Sequence, residues 1–296
     1  MLISLLASLP PGLDYEIILV DDFSTDGTRD WLATLSHPRI KVVLNPENLG
    51  YAASNNAGAR LASGELLSLL NNDLLLAPGW LEPMAYVLRH PGLNAGLVGN
   101  VQYRVDDGQL DHAGVRLNRR GQFEHIQSLP HNEVGYQRSL ALTGACLLVR
   151  KNDFSRAGGF DEGFVNGCED YDLGFKIRKT GKQLFVATTS RIRHHVSLSR
   201  NQNTLQDLRN SRRLYARWRS KIKLNLASEL AALSKPPPVF CGSHAKSLPQ
   251  ICAAPTHYSR AMITSEKILT SEESHWARIL PSSGTMNAQT IKLAIN

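Results

Sequence analysis

Three carboxylates follow predicted strands and are the first candidates for chemistry in this sequence. Asp21 and Asp22 come directly after the apolar run 16–20, and Asp73 follows soon after the run 65–70. A hard divalent cation requires oxygen ligands, and a diphosphate needs its negative charge neutralised. These strand-end carboxylates therefore predict metal and phosphate chemistry, although a lone strand-end aspartate is more often a helix cap.

A second acidic pair, Glu169 and Asp170, stands at the start of a predicted helix that ends at Lys179. Backbone N–H groups and the helix dipole at such a position favour an ionised carboxylate. An ionised carboxylate there can accept a proton from a hydroxyl nucleophile. Two histidines, His194 and His195, follow a later strand, and each is either a site residue or a structural histidine.

Alternating strands and helices must position these side chains. The predicted strands are 16–20, 41–44, 65–70, 145–149 and 183–187, with helical stretches between most of them. This order predicts an α/β fold in which helices flank a mostly parallel sheet. Ligands on such sheets bind beyond the carboxyl ends of the strands. The irregular segment from Gly99 to Arg138 is predicted to be a substrate-facing insertion with some antiparallel strand.

The composition is that of an ordinary soluble globular protein. The chain has 296 residues, a net charge of +7, 42% hydrophobic residues and 20% charged residues, which excludes disordered, collagenous and membrane-embedded classes. Four cysteines without a C-x-x-C pair suggest neither a disulfide framework nor a cysteine zinc site. We recognise no signal peptide and no transmembrane helix in the sequence, and a cytoplasmic location is expected.

The positive charge is concentrated in the segment from Arg191 to Lys223, which has ten Lys or Arg residues and a single Asp. Leu208, Tyr215 and Trp218 recur there at helical spacing, with Ile222 beyond them, so the segment predicts a basic amphipathic helix. Its apolar side could pack on the core, its basic side could meet anionic lipid headgroups, or the helix could contact nucleic acid. The sequence does not separate these three possibilities.

Beyond these patterns, the chain contains an ordered series of short segments. They are residues 17–28, 45–51, 55–58, 63–65, 70–73, 143–146, 158–164, 169–173 and 194–199. In order and spacing the series resembles the family 2 glycosyltransferases, which are inverting enzymes with a GT-A fold, over roughly residues 3 to 200. Rhamnosyltransferase-like members resemble the variant Asn71-Asn72-Asp73 found here.

The resemblance implies roles for individual residues. Asp21 or Asp22 would contact the base or ribose of a nucleotide, and Asp26 would only shape the turn. The further nucleotide-binding positions that it implies are Asn48, Gly50, Asn55 and Asn72. Asp170 matches the catalytic base of the family, and Glu169 is its acidic neighbour.

The implied cofactor is a divalent metal, Mn²⁺ or Mg²⁺. Asp73 matches the last acid of the family's D-x-D metal motif, whose other carboxylate is missing here, and His194 matches a histidine that can complete the metal or diphosphate site. The metal would neutralise the leaving nucleoside diphosphate while Asp170 deprotonates an acceptor hydroxyl. A single displacement at the anomeric carbon inverts its configuration.

The function implied is transfer of a sugar from a nucleotide-diphosphate sugar to a glycan or lipid-linked saccharide, as in polysaccharide biosynthesis for the cell envelope. The enzyme would be cytoplasmic, with possible peripheral contact with an anionic membrane and no nucleic-acid partner. One alternative is a truncated, non-catalytic glycosyltransferase-like binding protein. A nucleotidyltransferase of the same fold would leave the pair Glu169 and Asp170 without a task.

Three domains are predicted: a glycosyltransferase domain at 1–200, a basic helical extension at 201–233 and a low-order tail at 234–296. Members of the family begin with an apolar central strand, and this chain starts with the helix that normally follows it. We therefore expect a truncated reading frame or a misplaced start, and a chain that is weakly active or unstable. The tail resembles nothing in the family and could be foreign.

Overall fold

The structure, a computed structural model, describes residues 1–118, 121–129, 134–195, 204–234 and 290–295, with side chains described as far as Ile222. The helices are α1 (Leu2–Ser8), α2 (Thr28–Thr34), α3 (Gly50–Leu61), α4 (Leu81–Arg89), α5 (Lys151–Arg156), α6 (Glu169–Lys179) and α7 (Thr204–Ser234). The strands are β1 (Tyr15–Asp21), β2 (Ile40–Leu44), β3 (Leu66–Leu70), β4 (Leu74–Leu75), β5 (Ala95–Arg104), β6 (Leu110–His112), β7 (Val115–Leu117), β8 (Phe123–His125), β9 (Tyr136–Arg138), β10 (Cys146–Arg150), β11 (Gln183–His194) and β12 (Thr290–Ile295).

One large sheet organises the described chain. Its strand order is β2-β1-β12-β3-β10-β5-β11-β4, with β6 paired to β5 and β9 paired to β11, and a separate ribbon is formed by β7 and β8. The strands β2, β1, β3, β5 and β11 run in one direction, as expected for an α/β sheet. The prediction of mostly parallel neighbours does not hold, because β10 and β12 run the opposite way between them. Within the described residues, the parallel neighbours are β1 with β2 and β5 with β11.

Helices cover both faces of this sheet, because its central strands are apolar on both sides. One face carries α1, α2 and α4, whose buried residues belong to one apolar cluster with Ile17 and Leu19 of β1 and Leu70 of β3. The other face carries α3, which packs on β1, with α5 on β10 and α6 on β5 and β11; their buried residues share a second cluster with Ile18 and Val20 of β1. Such strands read as continuous apolar runs rather than as alternating patterns.

Helix α7 packs through a third apolar cluster. Leu214, Trp218 and Ile222 are buried there, and Trp218 stacks on Phe175 of α6 with ring centroids 5.3 Å apart. The sequence predicted Leu208 on the packing side, but Leu208 is 50% exposed. The buried positions instead follow a step of four residues from Asn210, so the helix presents a face rotated from the predicted one.

Most predicted elements are present with shifted ends. The insertion after Gly99 is more regular than expected, because β5 continues to Arg104 and short antiparallel strands follow it. Within the predicted tail, Thr290–Ile295 form strand β12, which the sequence did not predict. Residues 235–289 of that tail, and residues 201–203 of the predicted extension, lie outside the described residues.

Among the helices of the described residues, none combines the length and the apolar character needed to cross a membrane.

Candidate functional site

The carboxyl end of β1 places two buried aspartates at one edge of the sheet. The Asp21 carboxylate forms an ion pair with Arg29, whose Nη1 lies 2.8 Å from Oδ2, and accepts a hydrogen bond from the Ser24 backbone N–H. Arg29 Nη1 also donates to the Asn45 carbonyl oxygen over 2.9 Å. Asp21 therefore fixes the turn that follows β1 and ties it to the end of β2.

The neighbouring Asp22 organises the loop that leads into α3. Its Oδ1 accepts hydrogen bonds from Asn45 Nδ2 at 2.9 Å and from the Leu49 N–H at 2.8 Å. Its Oδ2 accepts a hydrogen bond from the Gly50 N–H at 2.8 Å. Because the chain itself supplies these donors, Asp22 holds the loop from Asn45 to Gly50 in place.

Asp73 and His194 come together where β4 pairs with β11. The pairing of Leu74 with His194 brings Asp73 Oδ1 to 3.2 Å from His194 Nε2, and the His195 N–H donates to the Asp73 carbonyl at 2.9 Å. The contact lacks hydrogen-bond geometry, so Asp73 Oδ1 has no hydrogen-bond partner among the described residues, nor has His194 Nδ1. Both atoms are buried, as is Asn71 Oδ1, which also has no hydrogen-bond partner among the described residues and lies two residues before Asp73 in sequence.

Asp170 lies at the first turn of α6, as the sequence predicted. Its Oδ2 accepts a hydrogen bond from the Gly144 N–H at 2.8 Å, and its Oδ1 accepts one from the Tyr171 N–H. Burial raises the pKa of Asp170, whereas these hydrogen bonds and the nearby His125 lower it, and the net direction is upward. A carboxylate with a raised pKa is better matched to proton transfer near neutral pH.

Tyr51 of α3, for which the sequence analysis predicted no role, lies beside Gly144 and Asp170. Its hydroxyl donates to the Gly144 carbonyl at 2.7 Å. Burial raises the pKa of Tyr51 well above its usual value, and the negative charges of Glu169, Asp170 and Asp73 raise it further. The Gly144 peptide joins Tyr51 to Asp170, because its carbonyl accepts from the Tyr51 hydroxyl and its N–H donates to the Asp170 carboxylate.

Only glycine fits at position 144, between Tyr51 and Asp170. A Cβ atom there would lie 2.8 Å from the Tyr51 hydroxyl oxygen and 3.4 Å from the Asp170 Cβ. The first distance is shorter than real Cβ contacts, so a side chain at position 144 would displace the Tyr51 hydroxyl.

The loop before α6 has a strained backbone. Asn166 and Cys168 have positive φ angles of 50° and 70°, which are unfavourable for residues with a side chain. Glu169 is buried and its carboxylate accepts a hydrogen bond from the Gly167 N–H at 2.6 Å. Strain of this kind persists where the surrounding contacts hold it, and it often accompanies functional sites.

A buried histidine that the sequence did not single out lies near these groups. His112 is fully buried on β6, opposite Gln102 of β5, and the centroid of its ring lies 4.8 Å from the centroid of the His125 ring. Neither ring nitrogen of His112 has a hydrogen-bond partner among the described residues, and the same holds for Gln102 Oε1. Burial, together with the charges of nearby histidines, lowers the pKa of His112 to about 3 against the opposing effect of Asp111. The imidazole is therefore neutral at physiological pH.

The remaining predicted residues surround α3 and the end of β3. Asn48 is exposed in the loop that Asp22 holds, and Gly50, with φ 83°, begins α3. Asn55 is buried and its Nδ2 donates to the Tyr51 carbonyl at 2.8 Å. Asn72 lies in the turn between β3 and β4, next to Asp73.

A large open groove of about 1370 Å³ lies elsewhere, between α3, α5, α6 and α7. Among the residues that line it are Arg60, Arg156 and Lys179, and none of the predicted site residues lines it. We therefore place the candidate site at the sheet edge and not in this groove, since it is the edge that gathers the acidic groups.

The described residues contain no group of three His, Cys, Asp or Glu side chains arranged to hold a metal ion. The pair Asp73 and His194 is thus at most a partial set of ligands.

Comparisons with known proteins agree with this fold. The structure of GalNAc-T7 with UDP, GalNAc and Mn²⁺ matches 80% of this chain and 48% of its own, with a TM-score of 0.63 and 20% sequence identity. The described chain has the GT-A fold, a central mixed sheet flanked by helices.

Two curated relatives are similar in sequence. The O-antigen biosynthesis protein RfbC of Myxococcus xanthus is 31% identical in an alignment of 204 positions that covers 65% of this chain and 16% of the relative. The validoxylamine A glucosyltransferase of Streptomyces hygroscopicus subsp. jinggangensis is 29% identical in an alignment of 199 positions that covers 60% of this chain and 47% of the relative. The chain thus spans less than half the length of each of these relatives.

A family model described as glycosyl transferase family 2 matches residues 1–152, which is just over half of the chain. On this match, and with the fold and the acidic edge described above, the chain belongs to glycosyl transferase family 2.

Proposed function

We propose that this chain is an inverting, metal-assisted glycosyltransferase. It would transfer a hexosyl or rhamnosyl group from a nucleotide-diphosphate sugar to a hydroxyl of a glycan or lipid-linked saccharide. The observation that carries the proposal is that the loop 144–145 contacts both acidic groups: the Gly144 N–H donates to Asp170 at 2.8 Å, and the Ala145 carbonyl accepts from the N–H of Asn71, in the turn that contains Asp73, at 2.9 Å. A donor diphosphate and an acceptor hydroxyl need these two kinds of group at one site.

Asp170 is the proposed general base. Its raised pKa suits it to take the proton of the acceptor hydroxyl as that oxygen attacks the anomeric carbon. The Gly144 N–H and the start of α6 hold the carboxylate in one orientation. Glu169 is not in contact with the acceptor in this proposal and supports the strained loop that leads into the helix.

Asp73 and His194 are the residues that would hold a divalent metal, Mn²⁺ or Mg²⁺. Asp73 Oδ1 is a buried carboxylate oxygen without a hydrogen-bond partner among the described residues, and His194 Nε2 lies 3.2 Å from it, so the two side chains are chemically suitable ligands that face each other. Oxygen atoms of the donor diphosphate would complete such a set. When bound, the metal would neutralise the charge of the leaving nucleoside diphosphate.

The nucleotide is proposed to bind at the ends of β1 and β3. In this arrangement Asp21 faces the base or ribose, and Asp22 acts by holding the loop that contains Asn48 and Gly50. Asn55 and Asn72 would support the same pocket from α3 and from the turn after β3. Residues 1–200 would then form the catalytic domain, with α7 as its basic extension.

The biological setting is proposed by analogy. RfbC is described as an O-antigen biosynthesis protein, and a related role in polysaccharide biosynthesis for the cell envelope fits the proposed acceptors. We propose a cytoplasmic enzyme that meets an anionic membrane surface through α7 and has no nucleic-acid partner. Exposed Leu205 and Leu208 lie on α7 beside the exposed Arg209 and Arg212, a combination typical of helices at lipid interfaces.

A thermal-shift titration with UDP, dTDP and GDP, each with and without Mn²⁺, tests the proposal. Binding to the folded state raises the melting midpoint. We expect one nucleotide to give a metal-dependent rise that Asp73→Ala abolishes. The matched control is Glu82→Ala, which removes an exposed carboxylate on α4 and should leave the rise unchanged. No rise with any nucleotide, from a chain that melts cooperatively, would favour the alternative of a non-catalytic relative.

Asp170→Asn separates transfer from binding. The variant should keep the nucleotide-induced rise and lose transfer to acceptor by about 10²- to 10⁴-fold, the usual contribution of a general base. Equal transfer by wild type and variant would contradict the assignment of Asp170.

A further inference from the structure

Strand β12 occupies a central place in the sheet although it lies far from its neighbours in sequence. All six of its residues pair with β1, from Tyr15 opposite Ile295 to Val20 opposite Thr290. Five of them pair with β3 as well, from Leu66 to Leu70. Both pairings are antiparallel, so β12 forms backbone ladders on its two sides.

The strands β1 and β3 are not neighbours in the sheet, so β12 determines their relative register. Ile291 is the common partner of Leu19 and Leu70. Asp21 lies two residues beyond Leu19, and the turn that contains Asp73 begins directly after Leu70. The register of one strand thus brings the carboxyl end of β1 and the end of β3, from which that turn starts, to the same edge of the sheet.

The neighbours of β12 leave little room for another arrangement. Ile17–Asp21 of β1 and all of β3 are buried, so water cannot satisfy their backbone N–H and C=O groups. A slip of one residue would also turn the apolar side chains of a strand to the opposite face of the sheet. Loss of β12 would therefore disturb both the stability of this half of the sheet and the alignment of its ends.

We propose that β12 is a positioning element of the active site: residues 290–295 insert between β1 and β3 and set the register that brings the end of β1, with Asp21 and Asp22, to the same edge as the end of β3, from which the turn with Asp73 starts. That β12 holds β1 and β3 together does not depend on any reaction, whereas its effect on the nucleotide site rests on the proposed function. The predicted result is that damage to β12 removes nucleotide binding without any contact between β12 and the nucleotide.

Lys292→Pro in the full-length chain tests the proposal, with Lys292→Ala as its matched control. Proline removes one backbone N–H from the ladder and alanine keeps it. Hydrogen exchange measured by mass spectrometry should show protection falling at least about tenfold in peptides that cover β1 and β3, with β5 and β11 unchanged, in the proline variant alone. Equal protection of β1 and β3 in both variants and the wild type would overturn the proposal.

The second readout is the thermal shift with the nucleotide that the wild type binds. Before melting, the proline variant should have the circular dichroism of a folded chain, yet nucleotide should not raise its melting midpoint. The alanine variant should keep the rise. A shift of normal size in the proline variant would overturn the alignment. If the wild type binds no nucleotide, the proposed function fails, and hydrogen exchange still decides whether β12 holds the sheet together.

A chain that lacks residues 290–296 provides an independent check. Should it remain soluble, addition of a synthetic peptide of those residues should restore the protection of β1 and β3. Full protection in the shortened chain without the peptide would contradict an essential role for β12.

Discussion

At the scale of single residues, His112 gives the clearest test of the buried polar cluster beside the site. Its pKa of about 3 lies far below the ordinary value of 6.5. As the pH falls below about 6.5, the unfolded chain takes up a proton at this residue and the folded chain does not, so stability is lost on acidification. His112→Gln should therefore reduce the loss of unfolding free energy between about pH 7.5 and about pH 5 by about 2 kcal/mol.

Urea titrations at the two pH values measure this difference. His37→Gln is the matched control, since His37 is partly exposed in the loop between α2 and β2. The control should show the pH dependence of the wild type. An identical pH dependence in all three proteins would mean that His112 takes up its proton in the folded chain as readily as in the unfolded chain.

Residues whose roles depend on local sequence were accessible to prediction, and residues positioned by distant contacts were not. Asp21, Asp73 and Asp170 each follow a strand or begin a helix, and the structure places them at such ends. The role of Tyr51 depends on Gly144, which is remote in sequence and comes within reach only when β3 and β10 pair. Likewise, the burial of His112 results from the pairing of β6 with β5.

At the scale of elements, the attachment of α7 depends on one fully buried carboxylate. Asp172 Oδ1 accepts hydrogen bonds from Trp218 Nε1 at 2.8 Å and from Arg217 Nη1 at 2.9 Å. Lys176 Nζ lies 3.1 Å from its other oxygen. We expect Asp172→Ala to lower the free energy of unfolding by about 3 kcal/mol, because it leaves buried donors and charges without their partner.

The same substitution should loosen α7 more than the sheet. Limited trypsin digestion should cut faster after Arg209 and Arg219, which are exposed on α7. Glu82→Ala serves as the control, since it removes an exposed carboxylate on α4. Unchanged cleavage of α7 in Asp172→Ala would show that the apolar contacts of Trp218 hold the helix without this network.

Elements with strong local patterns were predictable, and their neighbours in space were not. The segments that form β1 and β3 are apolar runs, and the segment that forms α6 has helix signals, so the sequence predicts which are strands and which is a helix. The place of β12 depends on pairing across more than two hundred residues, and no local pattern encodes it. The prediction that Leu208 lies on the buried face of α7 is wrong. The spacing of apolar residues shows that the helix has an apolar side, but the surface on which the helix packs determines which of those residues are buried.

At the scale of the whole molecule, positive charge and the acidic site are segregated. The chain carries a net charge of +7, and the segment from Arg191 to Lys223 has ten Lys or Arg residues. Arg213 and Arg217 are engaged with Asp161, whereas Arg209, Arg212 and Arg219 form no ion pair within the described residues. The unpaired arginines are therefore available to an external anionic surface.

This distribution predicts salt-sensitive binding to vesicles that contain anionic lipids and weak binding to neutral ones. Each basic residue near such a surface contributes about 1 kcal/mol, and the attraction is screened as the Debye length falls from about 10 Å at 0.1 M salt to about 3 Å at 1 M. Arg209→Glu with Arg212→Glu should weaken vesicle binding in a sedimentation assay by more than about tenfold. The control reverses the same number of charges on α4 and β11, with Arg89→Glu and Arg191→Glu. Equal losses in the two double variants would show that net charge alone drives the binding. Tighter binding to duplex DNA than to vesicles would identify a nucleic acid, and not a lipid surface, as the partner of α7.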